Sequence, residues 1–181
     1  MAETSNIKQI AEQFWQYSWQ FYAATYQGKP VASVCLRLQD DFDANINALL
    51  LCCFMQTKSY ELSQQALVQL LQVIEESDAE IRSLREKRRK AKLYIEDEAS
   101  KAAYQALKKE ELQKEKEQQQ ILVAAMLDID SQCMKELMDQ ARFNNLSQYE
   151  LLLSRGNNPH NQELKRHINW LYEASLSFNS L

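Results

Sequence analysis

Glycine and proline are nearly absent from this chain of 181 residues, which contains two of each. Tight hairpins and glycine-rich phosphate loops depend on glycine, because glycine adopts positive φ angles without steric cost. Their scarcity argues against β-sandwich, Rossmann and P-loop folds and predicts an all-α protein. The hydrophobic content of 45% is normal for a globular domain, and the length is sufficient for a hydrophobic core without disulfides or metals.

The cysteine pattern gives no sign of a metal or redox site. Cys35, Cys52, Cys53 and Cys133 form no Cys-x-x-Cys pair, and no histidine follows them at zinc-finger spacing. The first three lie among apolar residues, where a reduced thiol packs as a small hydrophobe. We therefore predict no metal and no cofactor, and a reducing compartment fits these thiols best.

Long apolar runs and a basic charge balance are also missing. The longest strongly apolar run, residues 46–55, is far too short to span a membrane, and the N-terminal residues do not match a secretory signal. We expect a soluble, cytoplasmic protein with no membrane insertion. The net charge of -4 argues against a generally basic nucleic-acid binder and leaves only local basic patches.

Apolar residues recur at helical spacing and predict a compact multi-helix core followed by a charged arm. We assign residues 1–77 to an aromatic-rich core, 78–126 to the arm, and 127–181 to helices that pack back on the core. The first helix is expected to reach about Gln27, with all its aromatic residues in the core. The third is apolar nearly all round, which is typical of a central helix, and Asp43 is expected to cap it.

The arm is rich in Lys, Arg, Glu and Gln, and it fits either one long helix or a helical hairpin broken near residues 97–100. A Ser-x-x-Glu pattern at 77–80 predicts that a helix starts there. One helical face carries four basic residues, which form a candidate docking surface for a protein, RNA or anionic lipid: Arg82, Arg85, Arg89 and Lys92. An ordinary solvated face is the alternative.

The root of the arm carries one predicted ion pair and one arginine with two possible environments. Arg88 points into an apolar stripe of the same helix, so its guanidinium must either reach solvent or pair with a carboxylate of the first third of the chain. Asp40 is expected to pair with an arginine of the segment 85–89.

The first third of the chain carries a recognisable signature. It consists of Phe-Trp-Gln-Tyr-Ser at 14–18, Tyr22, Cys-Leu-Arg-Leu-Gln-Asp at 35–40, and Ile46-Asn47 before a leucine run. Over roughly the first 55 residues this pattern resembles the DUF2390 family of uncharacterised bacterial proteins. The resemblance implies a bacterial cytoplasmic helical protein and supplies no mechanism. The chain departs from the family pattern at Asp43, where the family has a turn glycine, and at Asn45, where it has an aspartate.

Five residues of the signature form a candidate ligand pocket: Trp15, Tyr22, Gln39, Asp40 and Asn47. Polar groups walled by aromatic rings are typical of a small-ligand site, and equally of a satisfied buried network. Helix capping is the simplest role for the aspartates at 40–43. The alternating Asp and Asn residues at 41–47 resemble the start of a calcium loop, but that loop's essential glycine and glutamate are replaced by Ile46 and Cys52.

No catalytic residue is predicted, because no nucleophile, base or metal-ligand arrangement is evident in the sequence. We expect a non-enzymatic interaction or adaptor protein whose arm contacts a protein partner. The alternative is a small-ligand-binding protein or enzyme that uses Gln39, Asp40 and Asn47. Nucleic acid binding through the basic face is a weaker hypothesis, and the sequence does not predict the oligomeric state.

Overall fold

The computed structural model describes residues 2–129, 134–136, 144–154 and 160–178, with side chains from Ile7 onward except in 134–136. In these residues the chain forms eight helices and two short antiparallel strand pairs, which confirms the all-α prediction. The elements are α1 (Ala2–Tyr22), β1 (Thr25–Tyr26), β2 (Lys29–Pro30), α2 (Val31–Phe42), α3 (Ile46–Thr57), β3 (Tyr60–Leu62), α4 (Gln64–Val73), α5 (Glu75–Lys92), α6 (Glu98–Asp128), β4 (Met134–Glu136), α7 (Asn145–Leu153) and α8 (Asn161–Phe178). Cys133 lies outside the described residues.

Helix α3 is the central element, as its uniformly apolar sequence predicts. Nine of its twelve residues are buried, and α1, α2, α6, α7 and α8 all contact it. Cys52 and Cys53 belong to this helix, and Cys35 of α2 is buried with them. Burial raises the pKa of Cys35 and of Cys52 to about 12, so both thiols are protonated at neutral pH and pack as hydrophobes.

Helix α1 ends at Tyr22, five residues before the expected end at Gln27. Strands β1 and β2 follow and pair around Gln27 and Gly28, whose φ angles are 49° and 73°. Positive φ at both central residues is the requirement of a type I′ hairpin turn, and one of the two glycines meets it here. A glycine-poor chain therefore still forms one tight hairpin.

The aromatic residues of α1 form two stripes at helical spacing, and the stripe of Phe14, Tyr17 and Phe21 is buried more deeply than the stripe of Trp15, Trp19 and Tyr22. Phe14 and Phe21 have no exposed surface, and the Tyr17 ring stacks on Phe21 with centroids 5.5 Å apart. On the neighbouring stripe Trp19 is 49% exposed and Trp15 is half-buried. The prediction that all the aromatic residues of this helix are core is thus wrong for Trp19, because α6 lies alongside this stripe without covering it completely.

The charged arm is a hairpin of α5 and α6, which pack against each other. Asp97 caps α6, since its Oδ1 accepts from the Ser100 N–H at 2.8 Å while Ser100 Oγ accepts from the Asp97 N–H at 3.0 Å. The first helix of the arm starts at Glu75, and Ser77 donates to the Ile74 carbonyl, so the capping box expected at Ser77 does not form. The last turns of α6 reach the core, where its buried apolar residues are Leu122, Val123 and Met126.

Candidate functional site

The turn between α2 and α3 supplies one side of the site. Asp43 ends α2 in the left-handed conformation, with φ of 59°, so it takes the backbone role of the glycine in the family pattern. Its predicted role as the cap of α3 is wrong. Asn45 caps that helix instead, with its Oδ1 accepting from the Ala48 N–H at 2.9 Å.

A buried amide network links this turn to the arm. Asn45 Nδ2 donates to Asp78 Oδ1 at 2.7 Å and to Gln118 Oε1 at 3.2 Å. Asn47 Nδ2 donates to the same Gln118 oxygen at 2.8 Å, and Asn47 Oδ1 accepts from Gln119 Nε2 at 2.8 Å. Asn47 is therefore held in a network of hydrogen bonds between buried side chains, which ties α3 to α6.

Two arginines of α5 pair with aspartates of the turn region. Arg82 Nη1 lies 2.7 Å from Asp43 Oδ1, and Arg89 Nη2 lies 3.0 Å from Asp40 Oδ1. The predicted pairing of Asp40 with an arginine of the segment 85–89 is confirmed, with Arg89 as the partner. Partial burial by itself would raise the pKa of Asp40, but hydrogen bonds from Arg89 and Gln39 outweigh it and lower that pKa.

Two further arginines turn towards α6. Arg88 donates to Glu111 through Nε and through Nη2, the latter at 3.2 Å, and Arg85 Nε lies 3.2 Å from the same carboxylate. Arg85 Nη2 also lies 3.3 Å from Glu115 Oε1. The expected pairing of Arg88 with a carboxylate of the first third is wrong, because Arg88 pairs with Glu111 of its own arm. The hydrogen bond with Glu111 raises the pKa of Arg88 despite its partial burial.

A polar cleft of about 200 Å³ lies between the α2–α3 turn and the arm. Its walls include Gln39, Asp40 and Asn47 of the predicted pocket. They also include three of the four residues of the predicted basic face, namely Arg82, Arg85 and Arg89, whereas Lys92 is exposed and does not line the cleft. The fold therefore brings two groups of residues, which the sequence suggested separately, into one cleft.

Trp15 and Tyr22 line a second cavity, the aromatic pocket, of about 130 Å³. Ile46, Asn47 and Glu115 line both the polar cleft and the aromatic pocket. The five residues predicted to form one ligand pocket are thus divided between two adjoining cavities, and Asn47 is the member that they share.

The polar α6 residues of the two cavities were not identified from the sequence, and neither was Glu111, which pairs with Arg85 of the polar cleft. Glu111, Glu115, Gln118 and Gln119 recur at spacings of four, three and one, which places them on one face of a helix. Glu and Gln ordinarily face solvent, so the sequence predicts that this face of α6 is exposed. The arginines and amides that bury it lie on other helices. Knowing that Arg85 and Arg88 pair with this face would have been necessary to predict its burial.

The structure also bears on the metal and membrane predictions. Within the described residues, no group of three or more His, Cys, Asp or Glu side chains is arranged to hold a metal ion. Among the described helices, none combines the length and the apolar character that crossing a membrane requires.

Comparison with known proteins identifies a family and nothing closer. No curated protein and no solved structure matches the chain significantly. A family model described as "Protein of unknown function (DUF2390)" matches residues 14–122, a segment that extends from α1 into α6 and contains every residue lining the two cavities. Because this match covers more than half of the chain, the protein belongs to the DUF2390 family.

Proposed function

We propose that this protein is a non-enzymatic interaction protein that binds a protein partner through the tip of its helical arm. The arm tip, residues 93–95, lies in the connection between α5 and α6, and its apolar side chains are unusually exposed. Leu93 is 78% exposed, Tyr94 69% and Ile95 40%. Single exposed apolar residues are common on protein surfaces, whereas three consecutive ones at the end of a hairpin are typical of a contact surface.

The surroundings of the arm tip support a protein partner. Residues 92–99 are all exposed, with Lys92 on one side of the apolar residues and Glu96, Asp97 and Glu98 on the other. An apolar centre with a charged rim of both signs is the usual composition of a protein interface. The chemistry of the tip therefore fits a partner with an apolar pocket bordered by polar groups.

The ion pairs of the arm favour a protein over a nucleic acid. Arg82, Arg85 and Arg89 are each within 3.3 Å of a carboxylate of this chain. A phosphate backbone would have to displace those carboxylates, and the acidic balance of the whole chain opposes its approach. The basic face predicted from the sequence is thus better suited to holding the arm on the core than to binding RNA.

The test is capture of partners from a lysate of the source organism with the tagged protein and with variants of the arm tip. Leu93→Ser combined with Tyr94→Ser removes most of the exposed apolar surface and should reduce capture of a specific partner about tenfold, because central apolar residues dominate interface energies. The melting temperature should stay close to that of the parent, since neither side chain is buried.

Leu151→Ser is the matched control, because Leu151 is also an exposed leucine, 58% exposed, but lies on α7. This variant should capture the partner as the parent does. Equal capture by all three proteins would exclude the arm tip as the contact surface.

Binding of a small molecule is a second candidate function, and the aromatic pocket favours it. That pocket contains Trp15, Tyr22 and Asn47 of the predicted ligand site, and it borders the cleft that holds Gln39 and Asp40. Aromatic walls with a few polar groups are typical of ligand sites. A thermal-shift screen of small molecules and metal ions separates this function from the first, since only a ligand-binding protein should melt at a higher temperature.

A further inference from the structure

The aromatic pocket has the size and walls of a site for one small apolar group. Its volume of about 130 Å³ is close to that of an engineered protein cavity that accepts a benzene molecule. Trp15 and Trp19 meet edge to face with centroids 5.8 Å apart, and the rest of the apolar lining comes from Tyr22, Ile46, Leu50 and Leu112. One aromatic ring or a short branched chain would fit between these side chains.

Two buried polar atoms at this pocket have no hydrogen-bond partner among the residues that the structure describes. They are Ser18 Oγ and Gln119 Oε1, and both residues line the pocket although they are less than 5% exposed. The orientation of Gln119 is explained by its Nε2, which donates to Asn47 Oδ1. An unpaired buried acceptor is costly, so a ligand that donates N–H groups would gain from binding here.

The charge at the pocket favours a cation. Glu115 lines the pocket, and its Oε1 lies 3.3 Å from Arg85 Nη2. Burial raises the pKa of Glu115 although Arg85 lowers it, so the arginine does not fully compensate the cost of a buried negative charge. Lys116 Nζ already lies 5.2 Å from the centroid of the Trp15 ring, so this ring is not free for a second cation, and the charge preference of the pocket rests on Glu115.

We propose that the aromatic pocket binds a small organic cation, a primary ammonium group attached to an apolar body about the size of one ring. The ammonium would donate hydrogen bonds to Gln119 and Glu115, while the apolar body would lie against Trp15 and Trp19. An anion is disfavoured by Glu115 and by the unpaired acceptor of Gln119. The proposal rests on the small-molecule function above and identifies the chemical class of its ligand.

The experiment compares two probes that differ only in the polar group. Phenethylamine is a cation at pH 7, and 2-phenylethanol is a neutral molecule of the same size. Each is titrated into the full chain while the tryptophan fluorescence is recorded, because two of the three tryptophans line the pocket. Phenethylamine should bind saturably and at least about tenfold more tightly than the alcohol, since hydrogen bonds to charged groups are stronger than neutral ones.

Three variants test the location of the binding. Glu115→Gln removes the negative charge and keeps the shape, and it should weaken phenethylamine binding about tenfold without affecting the alcohol. Trp19→Ala removes a half-exposed wall and should weaken binding of both probes while the protein stays folded. Trp170→Phe is the control, because Trp170 lies against Tyr26 and Lys29, outside the pocket, and its variant should bind as the parent does.

Each other outcome overturns a defined part of the proposal. Equal affinity for the amine and the alcohol, or an unchanged affinity in Glu115→Gln, would overturn the cation assignment and leave the small-molecule function standing. No saturable binding of either probe up to about 10 mM, a concentration that detects even weak complexes, would overturn the aromatic pocket as a site for a ring-sized ligand and leave the small-molecule function to the thermal-shift screen.

Discussion

Asn45 and Asp78 are joined by a 2.7 Å hydrogen bond from the amide Nδ2 to the carboxylate Oδ1, and this bond links the α2–α3 turn to the first helix of the arm. The DUF2390 pattern that the sequence resembles has an aspartate at the position of Asn45. An aspartate could still cap α3, because capping uses only an acceptor oxygen. An ionised aspartate could not donate to Asp78 or Gln118, so the hydrogen bonds of this network require the amide of Asn45.

Asn45→Asp should therefore be less stable than Asn45→Ser, which keeps a capping oxygen but adds no charge. At pH 7 we expect the free energy of unfolding of the Asp variant to be lower by about 1 kcal/mol, from repulsion between two carboxylates. The repulsion raises the pKa of the new carboxyl in the folded variant above its unfolded value of about 4, so the deficit is complete above the raised pKa and is lost as the pH falls towards the unfolded value. Urea unfolding at pH 7 and pH 4 measures both effects, and equal stabilities at pH 7 would contradict the prediction.

Glu111→Gln should be among the more damaging charge changes in the arm. Glu111 is 6% exposed, and its carboxylate forms ion pairs with both Arg85 and Arg88. Its neutralisation therefore leaves two partly buried guanidinium groups without their main counter-charge. Breaking a buried pair costs about 3 to 5 kcal/mol, and we expect the lower end because Arg88 is partly exposed. Urea unfolding of the exposed neighbour variant Glu110→Gln is the control, and it should stay within about 0.5 kcal/mol of the parent. Similar losses in the two variants would show that the cluster around Glu111 contributes little.

Alanine substitutions along α1 should separate its two aromatic stripes. Phe14→Ala removes a fully buried ring and should cost about 3 to 5 kcal/mol, whereas Trp19→Ala should cost about 1 kcal/mol because half of the ring is exposed. The loss of stability from Trp15→Ala should lie between these two values, and below the loss expected for a fully buried tryptophan. Melting temperatures measured in one buffer test this order, and a loss from Trp19→Ala equal to that from Phe14→Ala would show that the second stripe is buried in solution.

Asp40 and Arg89 should show a small, pH-dependent coupling in a double-mutant cycle of Asp40→Asn and Arg89→Gln. Both side chains are about half exposed, so we expect less than about 1 kcal/mol at low salt and less again at high salt. The pKa of Asp40 is lowered in the folded state, so the coupling is complete above the ordinary carboxyl pKa of about 4 and is lost as the pH falls through the lowered folded value. A coupling that stays constant between pH 7 and pH 2 would show that charge is not its source.

Local patterns in the sequence were sufficient for the helical class, for the central position of α3 and for the family signature. Scarce glycine and proline leave helices uninterrupted, and the apolar residues at 46–55 can only be buried if other helices surround them. A turn at Asp43 was also expected, because the family has a turn glycine there, although the role predicted for Asp43 as the cap of α3 is wrong. Such features depend on interactions between residues that are close in the sequence, so the local sequence is sufficient to predict them.

The composition of the two cavities was decided by the tertiary structure alone. Arg85 lies 26 residues from Glu111 and 30 from Glu115, and their pairing exists only because the hairpin brings one helical face against the other. Without knowledge of that contact, nothing in the sequence distinguishes these glutamates of α6 from glutamates exposed to solvent. The unpaired atoms of Ser18 and Gln119 also have no local signal, because burial depends on which distant helix covers a side chain and not on its neighbours in the chain.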